Sequence, residues 1–368
     1  MDLLSIVLPL YNGEKYIEET ISYILRSDYN DIELLVIDDG STDESPEIVR
    51  KIAEADKRVV IYTKENGGVV SARNYGASKA QGKYLCFADQ DDIVKPFMYS
   101  SIISRMEAFG SEIGMCSTGR LIDGAETGFD ILDDMDCSGD EIREKVLFPM
   151  LFNGFNVDIP HSGGNHYPNI WSMVFERTFW LENKLEFRAY VNFEDDMLVK
   201  IEALSKVSRV SCISEIGYLW RVNMGSETYA GRFVENIGEK QDREYFDIEN
   251  SCKAFNPDNS FFEQLKQAIY CRQYLFAIRN LNGSGRKLTR KEIKNYYDCN
   301  IYSRDFEEAI RGRKRVKKDR IKLRMILPAL AKRHTMFSRN LEKALDRFLI
   351  LTLRSPRLTA IERGMKKG

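Results

Sequence analysis

Three aspartates stand at the end of a short apolar run in the stretch GKYLCFADQDDIV, residues 82–94. The run at residues 84–88 is typical of a buried strand, and it leads directly into Asp89, Asp91 and Asp92. If the chain stays extended, Asp89 and Asp91 point to the same side, a spacing that suits a hard divalent cation shared with a substrate phosphate. Without a cation such carboxylates are costly to desolvate, so a solvated acidic turn is the alternative interpretation.

A second acidic cluster, Glu194-Asp195-Asp196, opens a predicted helix that runs to residue 204. Neighbouring carboxylates repel one another, which raises the pKa of one of them towards the range that is useful for general-base catalysis. The macrodipole alone would also favour acidic residues at the start of a helix. A catalytic base and a charged helix terminus are therefore both open interpretations of this cluster.

The elements that must position these residues alternate between strand and helix. Apolar runs predict strands at residues 3–8, 32–37, 59–62 and 84–88, and helices are predicted at 14–26, 44–55 and 70–80. This alternation implies a doubly wound parallel sheet, which binds ligands at the carboxyl ends of its strands. The polar residues that follow strand ends, and so share one edge, are Asn12, Asp38, Asp39, Asp89 and Asp91. A usual dinucleotide site is excluded, because PLYNGEK follows the first strand where GxGxxG would be needed.

The middle of the chain is less regular. The predicted elements are a helix at 95–108, a strand at 113–122, an exposed acidic connection at 123–140, a helix at 141–152, a strand at 170–175, a helix at 176–183, and strands at 207–213 and 216–222. Between them, residues 153–169 form a long loop without periodicity, which suggests a lid or an acceptor-binding segment. Beyond residue 233 helices are predicted at 235–250, 260–280 and 290–300.

Composition indicates an ordinary soluble protein. The composition is 43% hydrophobic and 30% charged residues. A length of 368 residues is enough for one large domain with appendages or for two domains. Charge is unevenly distributed, because residues 311–368 carry 19 Lys/Arg against 4 Asp/Glu, whereas the first 310 residues carry 35 against 52. An acidic body with a basic tail suggests that the two ends face different partners.

Cysteine usage and apolar runs bear on the compartment. The seven cysteines are scattered, with no CxxC pair, so neither a zinc site nor a disulfide framework is indicated. The start MDLLSIVLPLYNGEKY lacks a positive leading region, which together with the odd number of cysteines favours a reducing cytosol. No apolar run approaches the roughly 20 residues that cross a bilayer. We expect a cytoplasmic protein, either soluble or peripheral on the inner face of the cell membrane.

Three motifs occur in order: PLYNGEKYIEETI, LLVIDDGSTDES and NGGVVSARNYGASKAQGKYLCFADQDD. Together they resemble the family 2 glycosyltransferases, densely over residues 1–98 and more thinly to about residue 228. The resemblance implies an α/β fold of the GT-A type, a doubly wound, mainly parallel sheet with helices on both faces, followed by a mostly helical C-terminal region. The expected domains are a catalytic domain at 1–230, with a nucleotide-binding half at 1–98 and an acceptor-binding half at 99–230, and a helical region at 231–368 with a basic tail from about 311.

The resemblance assigns a nucleotide-sugar donor to residues of these motifs. Asp38 and Asp39 match the acidic pair that contacts the nucleoside. Asp89 and Asp91 match the DxD motif, with Asp91 the first candidate for contact with Mg²⁺ or Mn²⁺ and Asp89 for ribose or metal. Arg73 matches the arginine of the ARN element, which can offset pyrophosphate charge. The other expected donor-binding residues are Pro9, Tyr11, Asn12, Glu14, Asn66, Gln90 and Ser226.

Family 2 enzymes invert the anomeric carbon, which requires a general base. The context EDDML matches the ED pair of the family, and this match selects Asp195 as base with Glu194 beside it; Asp196 is the rival if the alignment shifts by one residue. Asp92 is expected to cap the following segment, and Arg221 is expected to stabilise the leaving group. The candidates for acceptor binding are two tryptophans and two loop histidines, Trp171, Trp220, His161 and His166.

These features predict an inverting glycosyltransferase that moves a sugar from a UDP-sugar to a saccharide, a lipid-linked saccharide or a surface polymer. A sugar-phosphate nucleotidyltransferase and a non-catalytic nucleotide-sugar-binding module are the alternatives. A basic amphipathic stripe that includes Leu341, Leu345 and Phe348 predicts contact with an anionic membrane surface, with the catalytic domain or with a second subunit. Nucleic acid is not an expected partner.

Overall fold

The structure is a computed structural model that describes residues 2–155, 169–188, 190, 195–222, 233–255, 257, 259–283, 288–302, 335 and 339–340. The chain divides into two units. The first consists of residues 1–154, 159–225 and 246–257, and the second of residues 155–158, 226–245 and 258–368. The sheet and the predicted site residues of the described chain belong to the first unit.

One mixed sheet contains the strands of the described residues. They are β1 (Leu4–Leu10), β2 (Ile32–Asp38), β3 (Val59–Thr63), β4 (Tyr84–Phe87), β5 (Ile93–Val94), β6 (Ile113–Ile122), β7 (Ala125–Asp130), β8 (Met135–Ser138), β9 (Met173–Glu176) and β10 (Arg209–Arg221). The order across the sheet is β3-β2-β1-β4-β9-β6-β10-β5, with β7 beside β6 and β8 beside β10. Because β9 runs antiparallel between β4 and β6, strands β6 and β10 point in the same direction as β1 to β4.

Helices alternate with these strands as the sequence predicts. They are α1 (Ile17–Leu25), α2 (Ser45–Ala55), α3 (Gly68–Lys79), α4 (Met98–Phe109), α5 (Phe148–Phe155), α6 (Arg177–Glu182), α7 (Asp195–Lys206), α8 (Ile237–Lys253), α9 (Asn259–Gly283) and α10 (Arg290–Tyr297). Two π-helical segments, Ile142–Leu147 and Asp298–Tyr302, adjoin α5 and α10. The predicted α/β fold with a mainly parallel central sheet and a helical C-terminal region is confirmed.

Close packing fixes α3 against the centre of the sheet. Strand β1 is almost fully buried, and its Val7 lies beneath Gly76 of α3. A Cβ atom at residue 76 would lie 2.3 Å from Cγ1 of Val7, so only glycine permits this approach. This close contact fixes the position of the neighbouring polar residues of α3 relative to the carboxyl ends of the strands.

The prediction of an exposed connection at residues 123–140 is wrong, because this segment forms β7 and β8. Strand β7 pairs antiparallel with β6 through a two-residue loop, Asp123-Gly124, in which both residues have positive φ, 49° and 80°. An Asp-Gly loop of this kind is a strong hairpin signal that outweighs the polar composition of the strand, since one face of an edge strand is solvated.

The prediction of two strands at 207–213 and 216–222 is also wrong, because β10 is continuous. Its pairing with β6 shifts register between Ile213 and Ile216 and again between Ile216 and Tyr218. Such irregularities bend a strand without ending it. The short strand β5 pairs with β10 and was not predicted, and α4 begins at Met98, later than the predicted residue 95.

A reciprocal amide contact in the second unit joins α9 to the segment that precedes α8. The side chain of Asn280 donates to the carbonyl of Val234 at 2.8 Å and accepts from its N–H at 2.7 Å. Thr289 and Glu292 form a capping box that starts α10.

Among the described residues no helix is long and apolar enough to span a membrane. The predicted amphipathic stripe at residues 341–352 lies outside the described residues.

Candidate active site

The carboxyl ends of β1, β2, β4 and β10 lie at one edge of the sheet, because these strands run in the same direction. Asp38 ends β2, Asn12 follows β1, Asp89 follows β4, and Arg221 ends β10. The topology therefore brings to a single edge residues that are as many as 209 positions apart in the sequence. Parallel α/β sheets bind ligands at such an edge.

The loop after β1 is held to the acidic loop after β4. The N–H of Tyr11 donates to Oε1 of Gln90 at 2.8 Å, and Nε2 of Gln90 donates to the carbonyl of Tyr11 at 3.1 Å. Asn12 has φ of 48°, and its Oδ1 accepts from the N–H of Thr42 at 2.8 Å. These contacts fix the backbone, while the ring of Tyr11 is 41% exposed. The loop thus presents an aromatic surface beside the acidic residues.

Asp38 is buried at the end of β2, where its Oδ1 accepts from the N–H of Ser41 at 2.9 Å. Glu14, in the loop after β1, accepts from the N–H of Glu44 at 3.1 Å. Pro9 is the sixth residue of β1 and is only partly buried. These contacts tie the two loops together, and the predicted donor contacts of Asp38, Glu14 and Pro9 stay predictions.

Asp39 accepts hydrogen bonds at the start of α3. Its carboxylate accepts from the N–H of Gly67 at 3.0 Å and from the N–H of Gly68 at 2.7 Å, and it pairs with Nζ of Lys64 at 2.5 Å. Asn66 donates from Nδ2 to the carbonyl of Asp39 at 2.9 Å. An anion at a helix N-terminus stabilises the unpaired N–H groups there. Asp39 therefore has a structural role in addition to its predicted nucleoside contact.

Arg73 of α3 connects two acidic elements of the edge. Its Nη2 pairs with Oδ1 of Asp89 at 2.8 Å, and its Nη1 pairs with Oδ1 of Asp196 at 2.5 Å. Oδ2 of Asp196 accepts from the N–H of Ile170 at 3.2 Å. From the sequence, Arg73 was predicted to contact a pyrophosphate and Asp196 was the rival base. Neither prediction included an ion pair between Arg73 and Asp196. Because two donors already hold its carboxylate, Asp196 is poorly suited to accept a proton.

Asp92 is a buried carboxyl group at the end of the acidic loop, 1% exposed. Burial, followed by the charges of Asp91 and Asp89, raises the pKa of Asp92 well above its ordinary value. Its Oδ1 accepts from the N–H of Arg221 at 2.8 Å, and its carbonyl accepts from Oγ1 of Thr20 at 3.0 Å. The carboxylate of Asp92 thus supports the end of β10, whereas the sequence predicted that it caps the segment that follows it.

The raised pKa of Asp92 predicts a pH-dependent stability. An acid whose folded pKa exceeds its unfolded pKa binds its proton more tightly in the folded state, so its contribution to stability falls as pH rises above the unfolded value of 3.8. Asp92→Asn keeps the acceptor for Arg221 without a charge. We expect the stability of the variant relative to wild type to increase between about pH 5 and about pH 8 in urea unfolding with EDTA present. A constant difference would contradict this prediction.

Arg221 is held between the acidic loop and α1. Its Nε donates to the carbonyl of Asp91 at 2.8 Å, and its Nη2 pairs with Glu19 at 2.9 Å. The guanidinium lies 4.7 Å from the centre of the Tyr16 ring. This cation therefore lies beside the backbone of the DxD motif. Its predicted contact with the leaving group stays a prediction.

The two predicted tryptophans have different environments. Trp171 is 7% exposed and stacks on Tyr218 with a centroid distance of 4.2 Å. The hydroxyl of Tyr218 accepts from the N–H of Asp89 at 3.0 Å, so Trp171 supports the acidic loop from within the core. Its buried ring does not offer a free stacking face for an acceptor sugar. Trp220 is half-buried, and its ring lies 5.9 Å from that of Phe129.

Several predicted site residues lie outside the described residues: Glu194, Ser226, His161 and His166. For Asp195 the structure describes only the backbone position, the first residue of α7. Sequence reasoning missed Tyr218 and Glu19, which hold Asp89 and Arg221. Tyr218 lies outside the three motifs, and Glu19 lies inside the first of them without a role assigned by the resemblance; both act through contacts between distant parts of the chain.

Within the described part of the chain no cluster of three or more His, Cys, Asp or Glu side chains could hold a metal ion by itself. Mg²⁺ and its analogues need only one or two carboxylates when substrate phosphates and water complete the shell. Asp89 and Asp91 are oxygen ligands of this type, and their charges act together on Asp92. The residues at this edge therefore suit a metal ion that is shared with a diphosphate.

Comparison with known proteins identifies relatives of part of the chain. The sequence profile of the family described as Glycosyl transferase family 2 matches residues 5–128. The glycosyltransferase EpsJ of Bacillus subtilis is 28% identical over 227 residues, which are 61% of this chain and 63% of EpsJ. The minor teichoic acid biosynthesis protein GgaB of the same organism is 35% identical over 112 residues, 30% of this chain and 12% of GgaB. The chain thus spans less than two thirds of either relative.

A solved structure resembles the fold over most of the chain. S. aureus TarS 1-349 in complex with UDP-GlcNAc superposes with a TM-score of 0.63 at 18% identity, covering 94% of this chain and 92% of that one. At this identity the likeness concerns the fold alone.

Proposed function

We propose that the chain is an inverting glycosyltransferase with a UDP-sugar donor, because the sequence profile described as Glycosyl transferase family 2 matches residues 5–128. One observation carries the proposal. The buried Arg73 pairs with Asp89, which follows the strand of the DxD motif, and with Asp196, in the first turn of the helix that begins at the predicted base. The elements that carry the predicted donor-binding residues and the predicted base thus meet at one sheet edge, which supports sugar transfer because both substrates must lie within reach of one base.

In the proposed reaction the carboxylate of Asp195 accepts the proton of an acceptor hydroxyl group. The acceptor oxygen forms a bond to the anomeric carbon of the donor, while the bond from that carbon to the β-phosphate oxygen breaks and its electron pair leaves with UDP. Attack from the face opposite the diphosphate inverts the anomeric carbon. Mg²⁺ or Mn²⁺, held by Asp91 with Asp89, would stabilise the negative charge on the diphosphate. Arg221 adds a positive charge beside this loop.

The donor and acceptor classes rest on the chemistry of the edge and on the relatives. Tyr11 is exposed and directly follows Leu10, which pairs with the buried Asp38 across β1 and β2; this supports a nucleoside as the donor head group. The TarS complex contains UDP-GlcNAc, and GgaB is named for teichoic acid biosynthesis. We infer that the acceptor is a saccharide, a lipid-linked saccharide or a surface polymer, which Trp220, His161 and His166 would help to bind. Contact of the basic C-terminal segment with a membrane or a second subunit belongs to the same proposal.

A donor screen tests the proposal directly. The purified chain is titrated calorimetrically with UDP in the presence and absence of Mn²⁺. Release of nucleoside diphosphate is then measured on a panel of UDP-sugars, with release of GDP from GDP-mannose as the matched nucleotide control. We expect metal-dependent UDP binding and slow UDP release from at least one UDP-sugar. Binding without any release would instead indicate a nucleotide-sugar-binding module. Formation of UTP from a UDP-sugar and pyrophosphate would indicate a nucleotidyltransferase.

A further inference from the structure

Two adjacent residues of α3, Arg73 and Asn74, contact the segment that leads into α7. Nδ2 of Asn74 donates to the carbonyl of Phe187 at 2.9 Å, and the N–H of Phe187 donates to Oδ1 of Asn74 at 2.8 Å. The amide thereby satisfies both backbone groups of a residue 113 positions away, as a neighbouring strand would. A reciprocal pair of this kind fixes both the position and the orientation of the backbone at residue 187.

Arg73 makes the second connection to the same segment. Its guanidinium is only 4% exposed, lies 5.2 Å from the centre of the Phe187 ring, and divides its two terminal nitrogens between Asp89 and Asp196. A planar guanidinium can hold two carboxylates in a fixed relation, which the single charge of a lysine cannot do. Arg73 therefore sets the distance between the end of β4 and the first turn of α7.

We propose that Arg73 and Asn74 are positioning residues, which hold the start of α7 against the donor-binding edge and thereby place Asp195. This inference rests on the proposed function, because it assumes that Asp195 is the base. Asp196 directly follows Asp195, so a displacement of Asp196 displaces the base with it. The two residues act on the reaction through α7 and not through contact with the donor diphosphate.

The geometry favours this role over direct donor binding. Both terminal nitrogens of Arg73 face carboxylates of the chain, and both polar atoms of the Asn74 amide face the backbone of Phe187. A misplacement of about 1 Å can reduce a rate about 10²-fold, so a tether at this point would affect turnover more than affinity. A group that binds donor would instead change the donor affinity.

The test compares Asn74→Ala and Arg73→Lys with Ser78→Ala, a control on the exposed face of α3 whose hydroxyl bonds only to its own helix, at Tyr75. Three quantities are measured on the full chain: the Kd for UDP with Mn²⁺, the kcat of sugar transfer, and hydrogen exchange of the peptide that covers residues 195–206. For Asn74→Ala we expect an unchanged Kd, a kcat about 10²-fold lower and faster exchange in α7. Arg73→Lys should reproduce the loss of kcat, whereas Ser78→Ala should match wild type.

The readouts separate this inference from the proposed function. If α7 exchanges at the wild-type rate in both variants, or if the Kd for UDP rises in parallel with the loss of kcat, the positioning role is wrong. If the wild-type chain transfers no sugar, the proposed function fails, but the exchange measurement still decides whether Arg73 and Asn74 hold α7.

Discussion

Asp195→Asn is expected to lower the kcat of sugar transfer by about 10²–10⁴-fold, the contribution typical of a general base. The amide cannot accept the proton of the acceptor hydroxyl at neutral pH, yet it has nearly the same shape as the carboxylate. The UDP-binding edge should be unaffected, because Asp38, Asp89 and Arg73 keep their contacts. Kinetics with a donor found in the screen, together with calorimetry of UDP binding, measure both quantities.

Asp196→Asn is the comparison variant for this prediction, because it tests the rival base; by weakening the pair with Arg73 it should also lower kcat, but it should leave the pH dependence of kcat in place. It removes one charge from the neighbouring residue but keeps an oxygen that can accept from the N–H of Ile170. Arg73 loses one of its two anionic partners, so the variant should be less stable, by about 3–5 kcal/mol if the pair behaves as a fully buried one. Asp195→Asn should leave stability nearly unchanged. If Asp195→Asn keeps the wild-type kcat, and if the pH dependence of kcat is lost only in Asp196→Asn, the base was assigned to the wrong residue.

The position of the site could be predicted from sequence because strand direction decides it. Once four strands and their intervening helices were recognised, the residues that follow strand ends, such as Asn12, Asp38 and Asp89, had to gather at one edge. The same reasoning could not find the partners of Arg73. The order and direction of strands predict where strand ends lie, but they do not predict the direction in which a long side chain points. The charge of Arg73 suggested a phosphate, and the structure has two carboxylates there instead.

Burial was equally difficult to predict from residue type. Trp171 was predicted to stack on a sugar, but it packs on Tyr218 beneath the acidic loop. Asp39 was predicted to contact a nucleoside, and its carboxylate also holds the start of α3. In both cases a residue predicted to bind ligand supports the backbone of the site, so neither residue type nor motif membership separates residues that bind the ligand from residues that hold its binding loops. The missed hairpin at Asp123-Gly124 differs, because a local signal was present in the sequence.

Two arginines contact the acidic loop at the edge of the sheet. Arg73 pairs with the side chain of Asp89, whereas Arg221 donates to the backbone carbonyl of Asp91 and pairs with Glu19. The side chain of Asp89 is therefore partly neutralised by the protein itself, and its capacity to bind a cation is reduced. Because the carboxylate of Asp89 pairs with Arg73 and the DxD match already makes Asp91 the first candidate, we infer that Asp91 is the principal protein ligand of the metal ion, with Asp89 secondary.

Asp91→Asn is accordingly expected to remove the Mn²⁺-dependent part of UDP binding. It should also reduce kcat at least about 10²-fold, because losing a residue that binds the metal directly should cost no less than losing a residue that only supports a metal ligand. An amide oxygen is a weaker ligand for a hard cation than a carboxylate, whereas nucleoside contacts that need no metal are unaffected. Calorimetry of UDP with Mn²⁺ and again with EDTA separates the two parts. The variant should bind UDP with the same Kd in both conditions.

The neighbouring Asp92→Asn variant is the matched control, because it also removes one carboxylate from the acidic loop. Asp92 is buried and its Oδ1 faces the N–H of Arg221, so its replacement should preserve the difference between the Mn²⁺ and EDTA titrations. Asp89→Asn should weaken that difference without removing it. If Asp91→Asn keeps the full metal dependence and Asp89→Asn loses it, Asp89 is the metal ligand, and the pair with Arg73 must then open when the metal and the diphosphate bind.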